Sequence, residues 1–213
     1  MKNGKKYWLA ALASVITLSS ATAQVEMETP FATISDVSTS GSGCAPENTS
    51  ITLSPDASSV SFLFDQFSVQ GGGENKRRRN KKSCAVHMTL TPPPGFNVIV
   101  QSADIRGFAN IPAKSLAKIK NRVSVGQNGP STVRSRLVKK KIKGEFADLI
   151  EVQPAFKFPS ISGCGSPLQI NIETQVKVRS NWKKKELTEV VIDSLDFTAH
   201  PELSNHVTLV PCN

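Results

Sequence analysis

The segment from Leu168 to Arg179 alternates apolar and polar side chains without a break over twelve residues. One set consists of leucine, isoleucine, valine and threonine, and the other consists of asparagine, glutamine, glutamate, lysine and arginine. Successive side chains of a β-strand point to opposite faces, so this period of two predicts a long strand with one buried face. Because a strand cannot bury one face by itself, the rest of the chain has to supply a sheet and a second layer.

Shorter runs with the same alternation lie on both sides of this strand. They occur at Val60–Phe64, Val86–Leu90, Phe96–Val100, Leu187–Phe197 and Val207–Val210. The 13 glycines and 13 prolines of the chain mark turns between such runs. Many short strands separated by turns predict an all-β fold, either an antiparallel β-sandwich or a jelly-roll-like arrangement. The pattern leaves one or two helical turns within residues 113–123 open.

The first 23 residues have the features of a secretory signal peptide. Three lysines precede the apolar stretch Tyr7–Leu18, and small residues up to Ala23 form a cleavage site. The apolar stretch is shorter than the roughly 20 residues that a membrane helix needs, and no longer one follows it. We therefore expect a secreted or periplasmic product that starts near Gln24 and has no transmembrane segment.

The remaining chain has the length of one domain with a hydrophobic core. Residues 24–40 are small and polar without clear periodicity, and we interpret them as a flexible N-terminal arm. Residues 41–213 are then expected to form a single β-rich domain.

Four cysteines are present after the signal peptide, at positions 44, 84, 164 and 212. An even number in an exported chain predicts two disulfides, for which three pairings are possible. Our prediction is Cys44–Cys84 with Cys164–Cys212, each contributing about 4 kcal/mol in the chain-entropy model. No Cys-x-x-Cys pair exists and the histidines are not spaced with the thiols, so we expect neither a zinc site nor a cofactor.

Charge is divided unevenly along the chain. Residues 24–74 contain seven acids and no lysine or arginine, whereas residues 75–144 contain 17 lysines and arginines with one acid, Asp104. Two dense runs account for much of this positive charge: Lys76, Arg77, Arg78, Arg79, Lys81 and Lys82 in the first, and Arg134, Arg136, Lys139, Lys140, Lys141 and Lys143 in the second. Because like charges repel, we interpret both runs as solvated loops.

A cationic surface built from these two runs predicts an anionic partner, such as an acidic polysaccharide, a cell-wall polymer or lipid head groups. We do not expect nucleic acid, because Phe108 is the one aromatic residue between positions 97 and 145 and base-binding surfaces usually carry stacking partners. Two other interpretations stay open. The acidic first third could fold against the basic middle and neutralise it, or the first run could be a site of proteolytic processing.

Sequence motifs of the common hydrolases, metalloproteases and nucleotide-binding proteins are absent. We interpret the three isolated histidines as surface residues: His87, His200 and His206. The carboxylates nearest to the predicted strand ends are Asp65, Asp104, Asp193 and Asp196. Two of them could act together in glycoside hydrolysis or bind calcium, but their spacing does not select either chemistry.

Several short segments, taken in order, resemble a family of small secreted four-cysteine proteins from fungi and bacteria known as domain of unknown function 4360. The segments are Gly41–Cys44, Ser54–Asp56, Phe64–Phe67, Lys82–Cys84, Pro93–Phe96, Asp104–Phe108, Cys164–Gly165, Leu168–Ile172, Asp193–Asp196 and Cys212. The resemblance implies export, disulfides and a β-rich domain. It implies no activity and no catalytic residues.

These observations favour an exported, non-enzymatic module that binds an anionic surface or polysaccharide through the two basic runs. The first alternative is a secreted hydrolase that acts on polysaccharide with Asp104, Asp193 or Asp196. The second alternative is a self-assembling surface protein whose acidic and basic regions pair between molecules.

Overall fold

A computed structural model of the chain describes residues 30–75, 77–126, 134–153, 164–181 and 186–212; at position 75 and over 134–138 the description is limited to the backbone. Thirteen β-strands make up most of these residues. They are β1 (Thr33–Ser40), β2 (Thr49–Leu53), β3 (Ser59–Phe64), β4 (Ser68–Gly71), β5 (Arg79–Thr91), β6 (Phe96–Val100), β7 (Asp104–Ile111), β8 (Leu116–Gly126), β9 (Arg134–Lys143), β10 (Phe146–Val152), β11 (Leu168–Arg179), β12 (Thr188–Thr198) and β13 (Val207–Pro211). Two single-turn 3₁₀ helices lie at Pro46–Asn48 and Gly73–Asn75.

The strands form two large sheets and one small one, in which every described pair is antiparallel. The front sheet has the strand order β1-β5-β11-β8-β9. The back sheet has the order β10-β7-β12-β3-β2, with β4 pairing beside β3 along the same strand β12. Strands β13 and β6 form the small sheet. The predicted all-β fold with antiparallel sheets and two disulfides is therefore confirmed.

Strand β11 lies at the centre of the front sheet. It pairs with β5 along Leu168–Arg179 and with β8 along Gln169–Arg179. The predicted alternation is present, since its apolar positions are at most 3% exposed. Each such side chain contributes about 1.5–3 kcal/mol through burial. The inner faces of the two large sheets meet in one core, to which the front sheet contributes Val86 and Ile119 and the back sheet contributes Phe62 and Phe197.

A bulge in β12, at Ile192–Ser194, resets the alternation of the back sheet. A bulge inserts one unpaired residue, so the residues that follow exchange faces. Leu195 and Phe197 therefore point into the core, and Asp196 points to the outer surface opposite its register partner Asp104.

The disulfides are Cys44–Cys84 and Cys164–Cys212, as predicted. Cys44 and Cys84 are buried, and their bond ties the turn after β1 to the middle of β5. Cys164 is exposed, and its bond with Cys212 ties the segment before β11 to the end of β13.

Four segments are strands although the sequence analysis indicated a flexible arm, solvated loops or possible helical turns for them. Residues 33–40 of the predicted flexible arm form β1 and pair with β5, while residues 24–29 lie outside the described range. Residues 116–123 belong to β8 and not to a helix. Residues 79–82 begin β5, and residues 134–143 form β9. Lysines do not prevent strand formation on a solvated face, and they are common on edge strands such as β9.

Candidate functional site

The outer surface of the front sheet, called the front face below, carries a row of four lysines. Lys81 on β5 is the register partner of Lys177 on β11. Lys177 is also the partner of Lys118 on β8, which in turn pairs with Lys141 on β9. Neighbouring strands lie about 4.8 Å apart, so the four Cα atoms span about 14 Å across the sheet.

The rows on either side of these lysines add further cations. Cross-strand pairing aligns Arg79 with Arg179 on one side, and it aligns Lys120 with Lys139 on the other. All of these side chains are exposed or half-buried. The cations of the front face are Arg79, Lys81, Lys118, Lys120, Arg122, Lys139, Lys141, Lys143, Lys177 and Arg179.

No carboxylate of the described residues forms an ion pair within 4 Å with any of these ten cations. Arg122 lies in a fourth cross-strand row, beside that of Lys120 and Lys139. Glu173 on β11 is the register partner of Arg122 and is the one acid in these four rows. The described acids of residues 30–74 form no ion pair within 4 Å either. In the part of the chain that is described, the acidic first third therefore forms no ion pair within 4 Å with the basic middle, although Asp65 lines one pocket together with Arg77 and Lys82.

A cleft of about 460 Å³ opens where the arginine row meets the lysine row. Arg79, Lys81, Lys118, Lys177 and Arg179 provide its cationic rim. Its remaining lining residues are Asn80, Leu116 and Val178. The cleft thus combines several positive charges with apolar surface.

Five of the twelve predicted binding residues project from the front face: Arg79, Lys81, Lys139, Lys141 and Lys143. Lys82 and Lys140 sit at positions of opposite parity, and their ammonium groups donate to backbone carbonyls of Gln66 (2.6 Å) and Glu151 (2.9 Å).

The other five predicted residues precede β5 or have side chains outside the described part of the chain. Arg77 and Arg78 are exposed and precede β5. Lys76 and the side chains of Arg134 and Arg136 lie outside the described residues. The role of all twelve residues in binding stays a prediction.

Five cations of the front face were missed by the analysis of charge runs: Lys118, Lys120, Arg122, Lys177 and Arg179. The signal for those on β8 is the period of two, because positions 118, 120 and 122 alternate with the buried residues Ala117, Ile119, Asn121 and Val123. Adjacent residues of a strand point to opposite faces, so a run of adjacent charges does not form one charged face.

Two of the candidate carboxylates meet on the outer surface of the back sheet. Asp104 Oδ2 lies 3.7 Å from Arg106 Nη2, and Asp196 Oδ2 lies 3.8 Å from Arg106 Nη1. Glu151 also reaches this guanidinium, with 3.9 Å between Oε1 and Nε. One arginine therefore forms ion pairs with both aspartates. Asp193 and Asp65 are exposed at other positions and take no part in these ion pairs.

The histidines do not all lie on the surface. His87 is exposed, as predicted, but His206 is 4% exposed, which corrects the prediction for that residue. Its Nδ1 accepts the backbone N–H of Thr198 at 2.9 Å, and its ring stacks on Phe197. The other ring nitrogen, Nε2, lies 3.3 Å from Asp104 Oδ1. His206 thus joins the turn before β13 to the back sheet.

The described residues hold no group of three or more His, Cys, Asp and Glu side chains arranged around a possible metal ion. In the same residues, no helix is long and apolar enough to cross a lipid bilayer.

The sequence profile of the domain of unknown function DUF4360 matches residues 31–212. The chain belongs to this family. The match begins two residues before β1 and ends at Cys212, so it includes both disulfides and all thirteen strands.

Similarities to individual proteins are more restricted. An uncharacterized secreted protein of Arthroderma benhamiae is 38% identical over 71 residues, which are 33% of this chain and 29% of that protein. A family two carbohydrate esterase from Cellvibrio japonicus shares 14% identity over 83% of this chain and 36% of its own, with a TM-score of 0.22. A family 11 carbohydrate-binding module from Clostridium thermocellum shares 11% over 78% of this chain and 85% of its own, with a TM-score of 0.21. The two structural similarities are too low to bear on function.

Proposed function

We propose that this DUF4360 protein is an exported binding module whose front face holds an anionic polysaccharide. The observation that carries the proposal is the row of Lys81, Lys177, Lys118 and Lys141, with which no described carboxylate forms an ion pair within 4 Å. Like charges placed directly opposite each other destabilise a sheet, so the arrangement has a cost that a bound polyanion would remove.

The composition of the front face favours a polysaccharide over other polyanions. Its described outward positions on β5, β8 and β11 carry no phenylalanine, tyrosine or tryptophan. Single-stranded nucleic acid is bound through aromatic stacking, so these positions favour another polyanion. An array of cations on a sheet that carries the Cys44–Cys84 disulfide instead suits a soluble polymer with charge at regular intervals.

The geometry favours binding over hydrolysis. Glycosidases leave room between two carboxyl groups for the sugar and, in inverting enzymes, for a water molecule. Here Asp104 and Asp196 both lie within 4 Å of the Arg106 guanidinium. Both carboxylates are therefore engaged in ion pairs, an arrangement that favours a structural role that links β7 and β12.

The test is binding of the mature protein to immobilised acidic and neutral polysaccharides at several salt concentrations. Four cationic contacts predict a loss of affinity of roughly fifty- to a hundredfold between about 50 mM and about 200 mM salt. Neutral polysaccharides should show no such retention.

The variant Lys118→Gln/Lys177→Gln removes two charges from the centre of the row. We expect its salt slope on a log–log plot to fall by about one to two units. The control, Lys114→Gln, removes one charge from an exposed turn outside the row and should retain most of the affinity. Equal losses in both variants, or salt-independent binding, would contradict the proposal. Stronger retention on anionic vesicles than on any polysaccharide would assign the face to lipid head groups instead.

A further inference from the structure

We infer that the cleft lined by Arg79 and Arg179 is a specific subsite for a uronate, that is, a sugar ring that carries a carboxylate. This inference rests on the proposed function, because it names the polymer that the front face would hold. It is carried by the chemistry of the cleft, which differs from that of the lysine row beside it.

Arg79 and Arg179 are direct register partners on β5 and β11, and both line the cleft. Neither forms an ion pair with a described carboxylate. A guanidinium offers a planar fork of donors that matches the two oxygens of a carboxylate, whereas an ammonium group acts as a point charge. Two adjacent guanidinium groups therefore give this end of the front face a geometric selectivity that lysines do not provide.

The walls of the cleft suit a ring rather than a bare anion. Leu116 is half-buried beside the arginines, and the stems of Lys118 and Lys177 add further apolar surface. A volume of about 460 Å³ falls within the range of small-molecule binding sites. An inorganic sulfate or phosphate would leave this apolar surface unused, while the C–H face of a pyranose would cover it.

The rows beside the cleft indicate how the polymer would continue. The arginine row also contains Lys143 at its far end on β9, and the four-lysine row runs parallel to it. The strand spacing of about 4.8 Å is close to the length of one pyranose in an extended chain. A polymer that lies across the strands would thus meet about one cation per ring, which matches one carboxylate per sugar.

The experiment compares three ligands of equal length by titration calorimetry: an oligouronate, its methyl ester, and a sulfated oligosaccharide whose sugars carry no carboxylate. We expect the oligouronate to bind at least about tenfold more tightly than the sulfated ligand. The hydrogen bonds between its carboxylate and the two guanidinium groups add to the electrostatic attraction that the front face exerts on any polyanion. The methyl ester, which has lost the carboxylate charge, should bind least.

The variant Arg79→Lys/Arg179→Lys keeps the net charge and removes both forks. It should lose about tenfold in affinity for the oligouronate while its affinity for the sulfated ligand stays unchanged. A second variant, Leu116→Ala, should weaken oligouronate binding severalfold and leave the salt slope unchanged. Thermal melting without ligand shows that each variant is folded.

The outcomes separate the inference from the proposed function. If no anionic ligand binds at low salt, the proposed function fails, and the inference fails with it. If the sulfated ligand and the oligouronate bind equally, and the arginine-to-lysine variant affects neither, then the front face binds polyanions without a uronate subsite and only the inference is overturned.

Discussion

At the scale of single residues, the turn between β2 and β3 shows how one carboxylate organises a connection. Asp56 accepts hydrogen bonds from the Ser54 hydroxyl (2.5 Å) and from the backbone N–H (3.0 Å) and hydroxyl (2.8 Å) of Ser58. The Ser54 hydroxyl, followed by the Ser58 N–H, lowers the pKa of Asp56 from 3.8 to about 2. The ionised form is therefore the one that holds the turn.

This shift predicts a contribution to acid sensitivity with a definite sign. The folded pKa lies below the unfolded one, so the contribution is complete above pH 3.8 and is lost as the pH falls through about 2. Asp56→Asn keeps an acceptor oxygen but no longer titrates. Urea unfolding between pH 5 and pH 2 should show a smaller loss of stability in the variant than in the natural protein. Parallel losses in the two proteins would contradict this assignment.

At the scale of elements, the front sheet places cations of four strands in register. Lys177 is the central case, because it lies between Lys81 and Lys118 and is half-buried. Like charges directly opposite each other on a sheet cost about 0.2–1 kcal/mol. Strand β11 therefore carries a destabilising position on its outer face, while its inner face is among the most buried surfaces of the molecule.

We predict that Lys177→Gln stabilises the unliganded protein by about 0.5 kcal/mol at low salt and weakens its binding to acidic polysaccharide. The stabilisation should disappear at high salt, where the charges are screened. Lys114→Gln, a change on an exposed turn, is the control and should leave stability within about 0.5 kcal/mol. Chemical denaturation at two salt concentrations measures both variants. A loss of stability in Lys177→Gln would show that the row is not strained by repulsion.

At the scale of the whole molecule, the two disulfides protect different parts of the fold. Cys44 and Cys84 are 0% and 2% exposed and belong to the core, whereas Cys164 is on the surface and Cys212 is half-buried. Access of the attacking thiolate governs the rate of disulfide exchange. The bond next to the front sheet should therefore outlast the bond that holds the C-terminal strand.

We expect graded treatment with a thiol reductant to open Cys164–Cys212 first. Alkylation of the released thiols followed by peptide mass spectrometry identifies the bond that has opened. The singly reduced protein should keep its front face and hence its affinity for acidic polysaccharide, since β13 pairs with β6 and not with the front sheet. Opening of Cys44–Cys84 first, or loss of binding in the singly reduced form, would contradict this prediction.

Much of the fold could be predicted from local patterns. The alternation in Leu168–Arg179 indicates β11 and its buried face, and the shorter runs indicate β3, β6, β12 and β13. These elements are recognisable because the alternation of apolar and polar residues is a local pattern that does not depend on distant segments. The cysteine count similarly predicts two disulfides, although their pairing is a property of the folded chain.

The candidate site could be predicted only in part. A basic middle third indicates positive charge, but its dense runs divide between faces: Lys81 and Lys141 point outward, while Lys82 and Lys140 turn toward backbone carbonyls. The expected solvated loops, and the segment where one or two helical turns were left open, are strands, because pairing with neighbouring strands outweighs local charge repulsion and weak propensity.

The sequence by itself determined the strands with a clear period of two, the buried side of β11, the number of disulfides and the resemblance to the family. Only the tertiary structure decided which strands are neighbours and in what register they pair. Lys81 and Lys177 are far apart in the chain, and they meet in one row because β11 lies between β5 and β8. Strand order and register depend on packing between distant segments, so the row of lysines, the paired arginines and the cleft exist only in the folded molecule.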